Sequence, residues 1–235
     1  YLSIDANLQK AAYDLLEEKI AGIVVAKMAN VMNYDRSQLT DESDVIIPID
    51  DVYNAFISNE ILDTGHFEDP DAKSTEQAVY QAYITRHEEV ISEVLEQLGN
   101  PNAPAYKECS KEMQAYLSYV ISDLLTTNAK ILQTDKIDTK DKTYLAWEED
   151  ETISLYTYLN YAISQNWIDT SKLKEYMDEE SSYSDLGETY QGLVNFIGKK
   201  LSTDSGFEKL IYKYMIKTGR ITGTQICLLL YEQEV

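Results

Sequence analysis

Basic side chains are scarce in this chain. Twenty Lys and Arg stand against 41 Asp and Glu, a net charge of −21. That balance excludes nucleic acid as a partner, because its phosphates would be repelled, and argues equally against anionic lipid surfaces. An acidic surface of this kind is a well-solvated one. Histidine is scarcer still: His66 and His87 are the only two, isolated from each other, and each reads as a structural or solvated side chain. Cys109 and Cys227 are the only cysteines. They lie far apart, lack metal-type spacing, fall in apolar helical patterns and read as buried thiols that leave the redox compartment open. No apolar run approaches the length of a membrane span, and there is no glycine-rich phosphate loop.

What is present is enough to build a core. Hydrophobic residues make up 44% of 235 residues, which suits one large domain or two small ones and excludes wholesale disorder. From Asp50 onward the pattern is helical. Pro48 pushes Ile47 out of the helical region, so a helix starts after it, with Asp50 as cap. Ser74-Thr-Glu-Gln77 has the form of a capping box ahead of Ala78, Ala82, Val90, Val94 and Leu98, and Gly99 with Pro101 stops that helix. A helix from Lys111 to Thr127 follows, with Met113, Tyr116, Leu117, Val120, Ile121 and Leu124 on one face. Beyond the charged connection Thr134–Asp141, Ser154 opens a helix carrying Leu155, Tyr158, Leu159, Ala162 and Ile163. Trp167 and Ile168 pin a turn, and Asp169 starts a short helix ending near Met177. After a polar loop over 178–184, Asp185-Leu-Gly-Glu188 opens a helix with Leu186, Tyr190, Leu193, Ile197 and Leu201 on its face. Ser205-Gly-Phe-Glu208 begins the next, which Gly219 ends, and Thr222-Gly-Thr-Gln225 begins the last. The nineteen tyrosines and four phenylalanines fall mostly on helix faces and read as core.

The first stretch differs in character. Leu2 and Ile4 alternate with Ser3 as a short strand would, and Asp5 is a natural N-cap. Leu8, Ala11, Ala12, Leu15, Leu16 and Ile20 recur at helical steps, Gly22 reads as the stop, and Ile23-Val24-Val25 reads as extended. Leu2-Ser3-Ile4-Asp5, Leu8-Gln9 and Ala12 fall at fixed offsets that resemble the lead-in to the transpeptidase domain of high-molecular-weight penicillin-binding proteins, with serine in place of the usual threonine. The likeness is confined to Tyr1–Lys27.

A transpeptidase of that family carries Ser-x-x-Lys, Ser-x-Asn and Lys-Thr-Gly in that order, the lysine one helical turn from the serine so that its amine reaches the hydroxyl. All three strings occur here, as Ser171-Lys172-Leu173-Lys174, Ser164-Gln165-Asn166 and Lys217-Thr218-Gly219. They do not read as a site. The second precedes the first, no subdomain separates them, and the third sits at a helix C-terminus. Asp135, Asp138 and Asp141 step by three where an EF-type calcium loop steps by two around a central glycine, so they read as a solvated turn. Glu148-Glu-Asp-Glu151 reads as surface. No catalytic, cofactor-binding or metal-binding residue is assigned, and no cofactor is expected.

The expected fold is mainly α, a multi-helix orthogonal bundle with a small strand–helix–strand stem: residues 1–34 as stem and 35–235 as a helical insertion domain, about two hundred residues and well within domain size. The resemblance implies a non-catalytic piece of a longer protein, anchored from a segment upstream at the extracytoplasmic face of the membrane. Its parent would crosslink peptidoglycan by serine acyl transfer and bind penicillin, and its catalytic motifs would lie downstream of Val235. The partners implied are the rest of the transpeptidase domain and other cell-wall synthesis or division proteins, with no direct membrane contact by this piece. Two rivals stand beside it: a stand-alone acidic helical interaction module, and a glycan- or peptide-binding protein using exposed tyrosines.

Overall fold

Capping chemistry sets most helix starts. The computed structural model describes residues 6–32, 34, 41, 45–177 and 185–235. The elements are α1 (Ala6–Lys27), β1 (Met28–Ala29), β2 (Ile47–Pro48), α2 (Ile49–Ser58), α3 (Ser74–Gly99), α4 (Lys111–Tyr119), a π-helix over Val120–Asn128, α5 (Lys142–Glu148), α6 (Leu155–Ser164), α7 (Leu186–Leu201), α8 (Ser205–Lys217) and α9 (Gly223–Glu232). Short 3₁₀ turns cover Thr64–Glu68, Tyr106–Glu108, Thr134–Lys136 and Thr170–Tyr176. The protein is mainly α, and β1 and β2 pair in parallel as a two-stranded sheet. The chain divides into two compact units, Tyr1–Tyr80 with Met215–Val235, and Gln81–Tyr214.

In the first unit the stem differs from its expected form. Leu2, Ser3, Ile4 and Asp5 lie outside the described residues. Gly22 does not end α1, which runs on through Ile23-Val24-Val25 to Lys27. One interior glycine costs a helix only about 1 kcal/mol, and β-branched residues cost less, so a run of good formers before them carries the helix through. Every side chain from Leu8 to Ala26 is exposed, Ile23 at 62% and Leu16 at 60% among them. Since α1 buries so little, deleting residues 1–27 is expected to shift the unfolding free energy by no more than about 0.5 kcal/mol. A urea titration followed by circular dichroism measures this, and loss of the cooperative transition would show that the stem belongs to an indivisible core.

The cap of α2 is Pro48 (φ −62°, ψ 149°), not Asp50, which becomes a buried residue of the first turn. The fixed φ of proline and its extended ψ place the break two residues earlier than the acidic side chain suggested. At α3 the box shifts by one residue: Ser74 is already helical, and Glu76 Oε2 accepts from the Lys73 N–H at 2.6 Å. The end of α9 is tied back to the same region. Gln233 Nε2 donates to Asp63 O (3.0 Å) and Glu76 Oε1 (2.8 Å), and Thr75 Oγ1 donates to Glu232 Oε1 (2.7 Å). Ile57, Leu62, Phe67, Val79, Ile226 and Leu229 are buried in this unit. Cys227, expected buried, is exposed: Ile226 and Leu229 occupy the inward face of α9, and Cys227 and Leu228 between them point away. Gly219, at φ +73°, ends α8 in the left-handed region that glycine enters without cost.

In the second unit the expected helices appear with their expected faces, and four details differ. The segment from Lys111 is α only to Tyr119 and then widens to π. Leu186 is exposed, because as the first residue of α7 it projects ahead of the packed turn. Cys109 is half-buried, between a 3₁₀ turn and the Ser110 cap, not within a helix. Asp185 and Glu188 form the expected capping box of α7. Against α7 pack α6 and the 3₁₀ turn Thr170–Tyr176. That turn comes so close that a Cβ on Gly192 would meet Met177 Cγ at 2.6 Å. Asp204, one residue before the expected start, caps α8 by accepting from the Phe207 N–H at 2.9 Å, and it also accepts from the Tyr119 hydroxyl.

Candidate functional site

The three transpeptidase-like strings are each committed to local structure. Ser171 Oγ donates to Asp169 Oδ1 at 2.6 Å, inside the cap of its own 3₁₀ turn. Lys172, next to it, donates Nζ to the carbonyls of Ala129 (2.9 Å) and Lys130 (3.0 Å), closing the end of the π-helix. Ser164 Oγ donates to Tyr161 O at 2.7 Å, and Asn166 occupies a left-handed turn at φ +58°. Lys217 is the last residue of α8, with Thr218 and Gly219 in the turn after it. The acceptor of the Ser171 hydroxyl is thus a turn-capping carboxylate, not the lysine amine of a Ser-x-x-Lys site.

His66 is tied into the first unit. Its Nδ1 lies 2.8 Å from Glu76 Oε1, and its Nε2 lies 3.8 Å from Asp71 Oδ1. His66, Asp69 and Asp71 bring one ligand atom each within 4.8 Å of one another, a set that suits a divalent cation by type, with both aspartates exposed. The hydrogen bond to Glu76 is the main cause that lifts His66 above its ordinary 6.5, aided by the charges of Glu76, Asp71 and Asp69. Burial would raise Glu76, but hydrogen bonds from Gln233, Lys73 and His66 together hold it below the ordinary 4.5. The signs follow. A raised histidine stabilises below 6.5, and that contribution fades as pH climbs through its folded value. A lowered carboxylate stabilises above 4.5, and that contribution is lost as pH falls. Amide protection in the first turn of α3 is therefore expected to peak between 4.5 and 6.5. An NMR titration should place the His66 midpoint above 6.5, and Glu76→Gln should return it towards that value.

A concave feature of the second unit lies along the π-helix. Two adjoining hollows, of about 490 and 150 Å³, share Ile121, Ser122 and Glu148. The π-helix supplies one wall through Ile121, Ser122, Thr126 and Thr127, and its i→i+5 spacing is visible in two side chains. Thr126 Oγ1 donates to Ile121 O (2.7 Å), and Thr127 Oγ1 to Ser122 O (2.8 Å). Such stretches recur at functional sites. Trp147 and Tyr158 form an aromatic stack with centroids 5.2 Å apart; Tyr158 lines the larger hollow and Trp147 the smaller. Thr134, Ile137 and Thr139, from the charged connection, line another side. Asp141, the last acidic residue of that connection, faces its own helix. It accepts from the N–H groups of Thr143 (2.8 Å) and Tyr144 (3.1 Å) and from the Tyr161 hydroxyl (2.7 Å), which is the main cause of its lowered pKa.

Nothing in the sequence joins these residues into one site: Ile121 and Tyr158 fall on helix faces, Glu148 in a charge run, and Thr134–Asp141 in a connection. The one local signal was Ser122, Thr126 and Thr127 clustered on an otherwise apolar helix.

Comparison of the chain with family models, with curated proteins and with solved structures finds no match in any of the three.

Proposed function

We propose that this chain is a non-catalytic accessory segment of a peptidoglycan transpeptidase, a helical insertion carried on a stem that leads into the penicillin-binding domain. The observation that carries the reading is the uncovered apolar side of α1: Tyr13, Leu15, Leu16, Ile20 and Ile23 are all more than half exposed. Buried at about 25 cal/mol per Å², such side chains stabilise a helix by 1.5–3 kcal/mol each. Left in water they mark an element whose packing partner lies elsewhere. In the proposed parent that partner is the core sheet of the catalytic domain. The match of Leu2-Ser3-Ile4-Asp5, Leu8-Gln9 and Ala12 to the family lead-in gives the reading its direction. The commitment of Ser164 and Ser171 to neighbouring acceptors supports a segment that does no acyl transfer itself. On this proposal the segment works outside the cytoplasmic membrane, alongside the transpeptidase domain and cell-wall synthesis or division proteins.

The test labels the full-length protein and the 235-residue chain with a fluorescent penicillin. The full-length protein should form a stoichiometric serine adduct, at a Ser-x-x-Lys downstream of Val235 and followed in order by Ser-x-Asn and Lys-Thr-Gly. The 235-residue chain should remain unlabelled. An adduct on Ser171 in intact-mass spectra, or no labelling of the full-length protein, overturns the proposal.

A further inference from the structure

We propose that the cleft along the π-helix binds a small primary ammonium compound that also carries a hydrogen-bond acceptor. Three observations converge on that chemistry, and none depends on the transpeptidase reading. The first is Tyr158. The residue is only 1% exposed, yet it lines the larger hollow, and its hydroxyl has no hydrogen-bond partner among the described residues. The hydroxyl itself keeps contact with solvent in the hollow, where a ligand can reach it. Burial, and then the charge of Glu148, raise its pKa, so it remains a donor at any physiological pH. What it lacks is an acceptor, and the site itself has room for one.

The second observation is the sign of the site. Glu148 borders both hollows and Glu151 the smaller one, while no Lys, Arg or His is among the lining residues. In a chain of net charge −21 the surrounding field adds to this local preference and draws cations towards the cleft. The third is shape. The hollow of about 490 Å³ lies in the size range of small-molecule sites. Ile121, Leu132 and Ile137 give it an apolar lining, against which a methylene chain packs well. The ligand therefore places its ammonium at Glu148 and a carbonyl or hydroxyl oxygen at the Tyr158 hydroxyl.

The probes are 6-aminohexanamide, which has both groups, hexylamine, which lacks the acceptor, and hexanamide, which lacks the charge. Binding in the millimolar range is expected for probes this small, read as saturable ¹H–¹⁵N shifts at residues 121–127 and 144–148. 6-Aminohexanamide should bind tightest. Glu148→Gln should weaken both amines by about tenfold, the loss of a charge-assisted hydrogen bond, and leave hexanamide unchanged. Tyr158→Phe keeps the stack on Trp147, so its unfolding midpoint should match that of the unsubstituted protein. It should reduce 6-aminohexanamide to the affinity of hexylamine without altering hexylamine itself. Should that variant misfold, the ranking of the three probes on the unsubstituted protein still decides. No saturable shifts with any probe, shifts confined to other residues, hexanamide binding as tightly as the amines, or amine affinity indifferent to Glu148→Gln would each overturn the proposal.

Discussion

Replacing Arg86 with alanine is expected to lower the unfolding free energy of the 81–214 unit by about 3 kcal/mol. Arg86 is 7% exposed, and its guanidinium spans two helices. Within α3, Nη1 reaches Glu89 Oε2 (3.1 Å) and Glu93 Oε1 (2.8 Å), residues that share a face at three- and seven-residue steps. Across to α4, Nη2 reaches Glu112 Oε1 at 3.0 Å, and the Tyr116 hydroxyl donates to the same oxygen at 2.8 Å. Burial alone would lower the pKa of Arg86, but the three carboxylates outweigh it and raise it, so the charge is permanent. Removing it leaves three carboxylates facing one another around an apolar stump. Those carboxylates keep partial contact with water, with Glu89 and Glu93 nearly half exposed, which holds the cost to the lower end of the range for broken buried pairs. Both tryptophans, Trp147 and Trp167, lie in this unit, so urea unfolding followed by tryptophan fluorescence reports on it directly. Arg86→Lys should recover less than half of the loss, since an ammonium cannot reproduce the planar fork. Added salt should narrow the alanine deficit by screening the orphaned carboxylates. A change below about 0.5 kcal/mol, the range of ordinary surface substitutions, would show that the network is ornamental.

Phe207→Ala is expected to cost about as much or more, roughly 3–5 kcal/mol for a fully buried phenylalanine. Phe207 is the third residue of α8 and fully buried. Tyr116 meets it edge-on with centroids 5.5 Å apart, and Tyr119 lies tilted at 5.5 Å. Truncation opens a cavity between rings that have no slack to close it, and each lost aromatic pair adds about 0.5–1.5 kcal/mol. The melting temperature of the unit should fall by about 10 °C. Phe207→Leu, which refills most of the volume, should recover more than half of that drop in a calorimetric scan. Equal losses for the two variants would mean that ring geometry, not volume, holds this corner.

The sequence was informative where a helix carries both its cap and its buried stripe in one short window. The helix after Ser154 is such a case: the serine caps it at the Thr157 N–H, and all five residues read as its apolar face are buried. Thr222 with Gln225 is another. Reading failed where two local signals competed. At Gly22 a plausible stop lost to helix propagation on both sides. At Ser74 and Ser205 a good capping side chain stands one residue inside the start, which the Glu76 carboxylate fixes at α3 and Asp204 at α8. The α-to-π change after Tyr119 left no trace, because Val120, Ile121, Leu124 and Leu125 fit an α stripe as well as they fit the wider turn. The cleft was hidden for a different reason. Ile121, Thr139, Glu148 and Tyr158 belong to separate elements, and periodicity within an element says nothing about which neighbours share a hollow.

The π-helix has a consequence for chain length. A segment whose bonds span five residues, as from Ala129 N to Leu124 O, holds more residues per turn than an α-helix between the same two anchors. Here the anchors are Tyr119, at the end of α4, and Ile131 with Leu132, whose N–H groups both return to Leu125 O. A homologue one residue shorter between those anchors would wind as plain α. It would then lose the outward step that carries Ser122, Thr126 and Thr127 along the hollow. A single-residue deletion, ordinarily a small event in a surface loop, would here separate family members that have the cleft from those that do not.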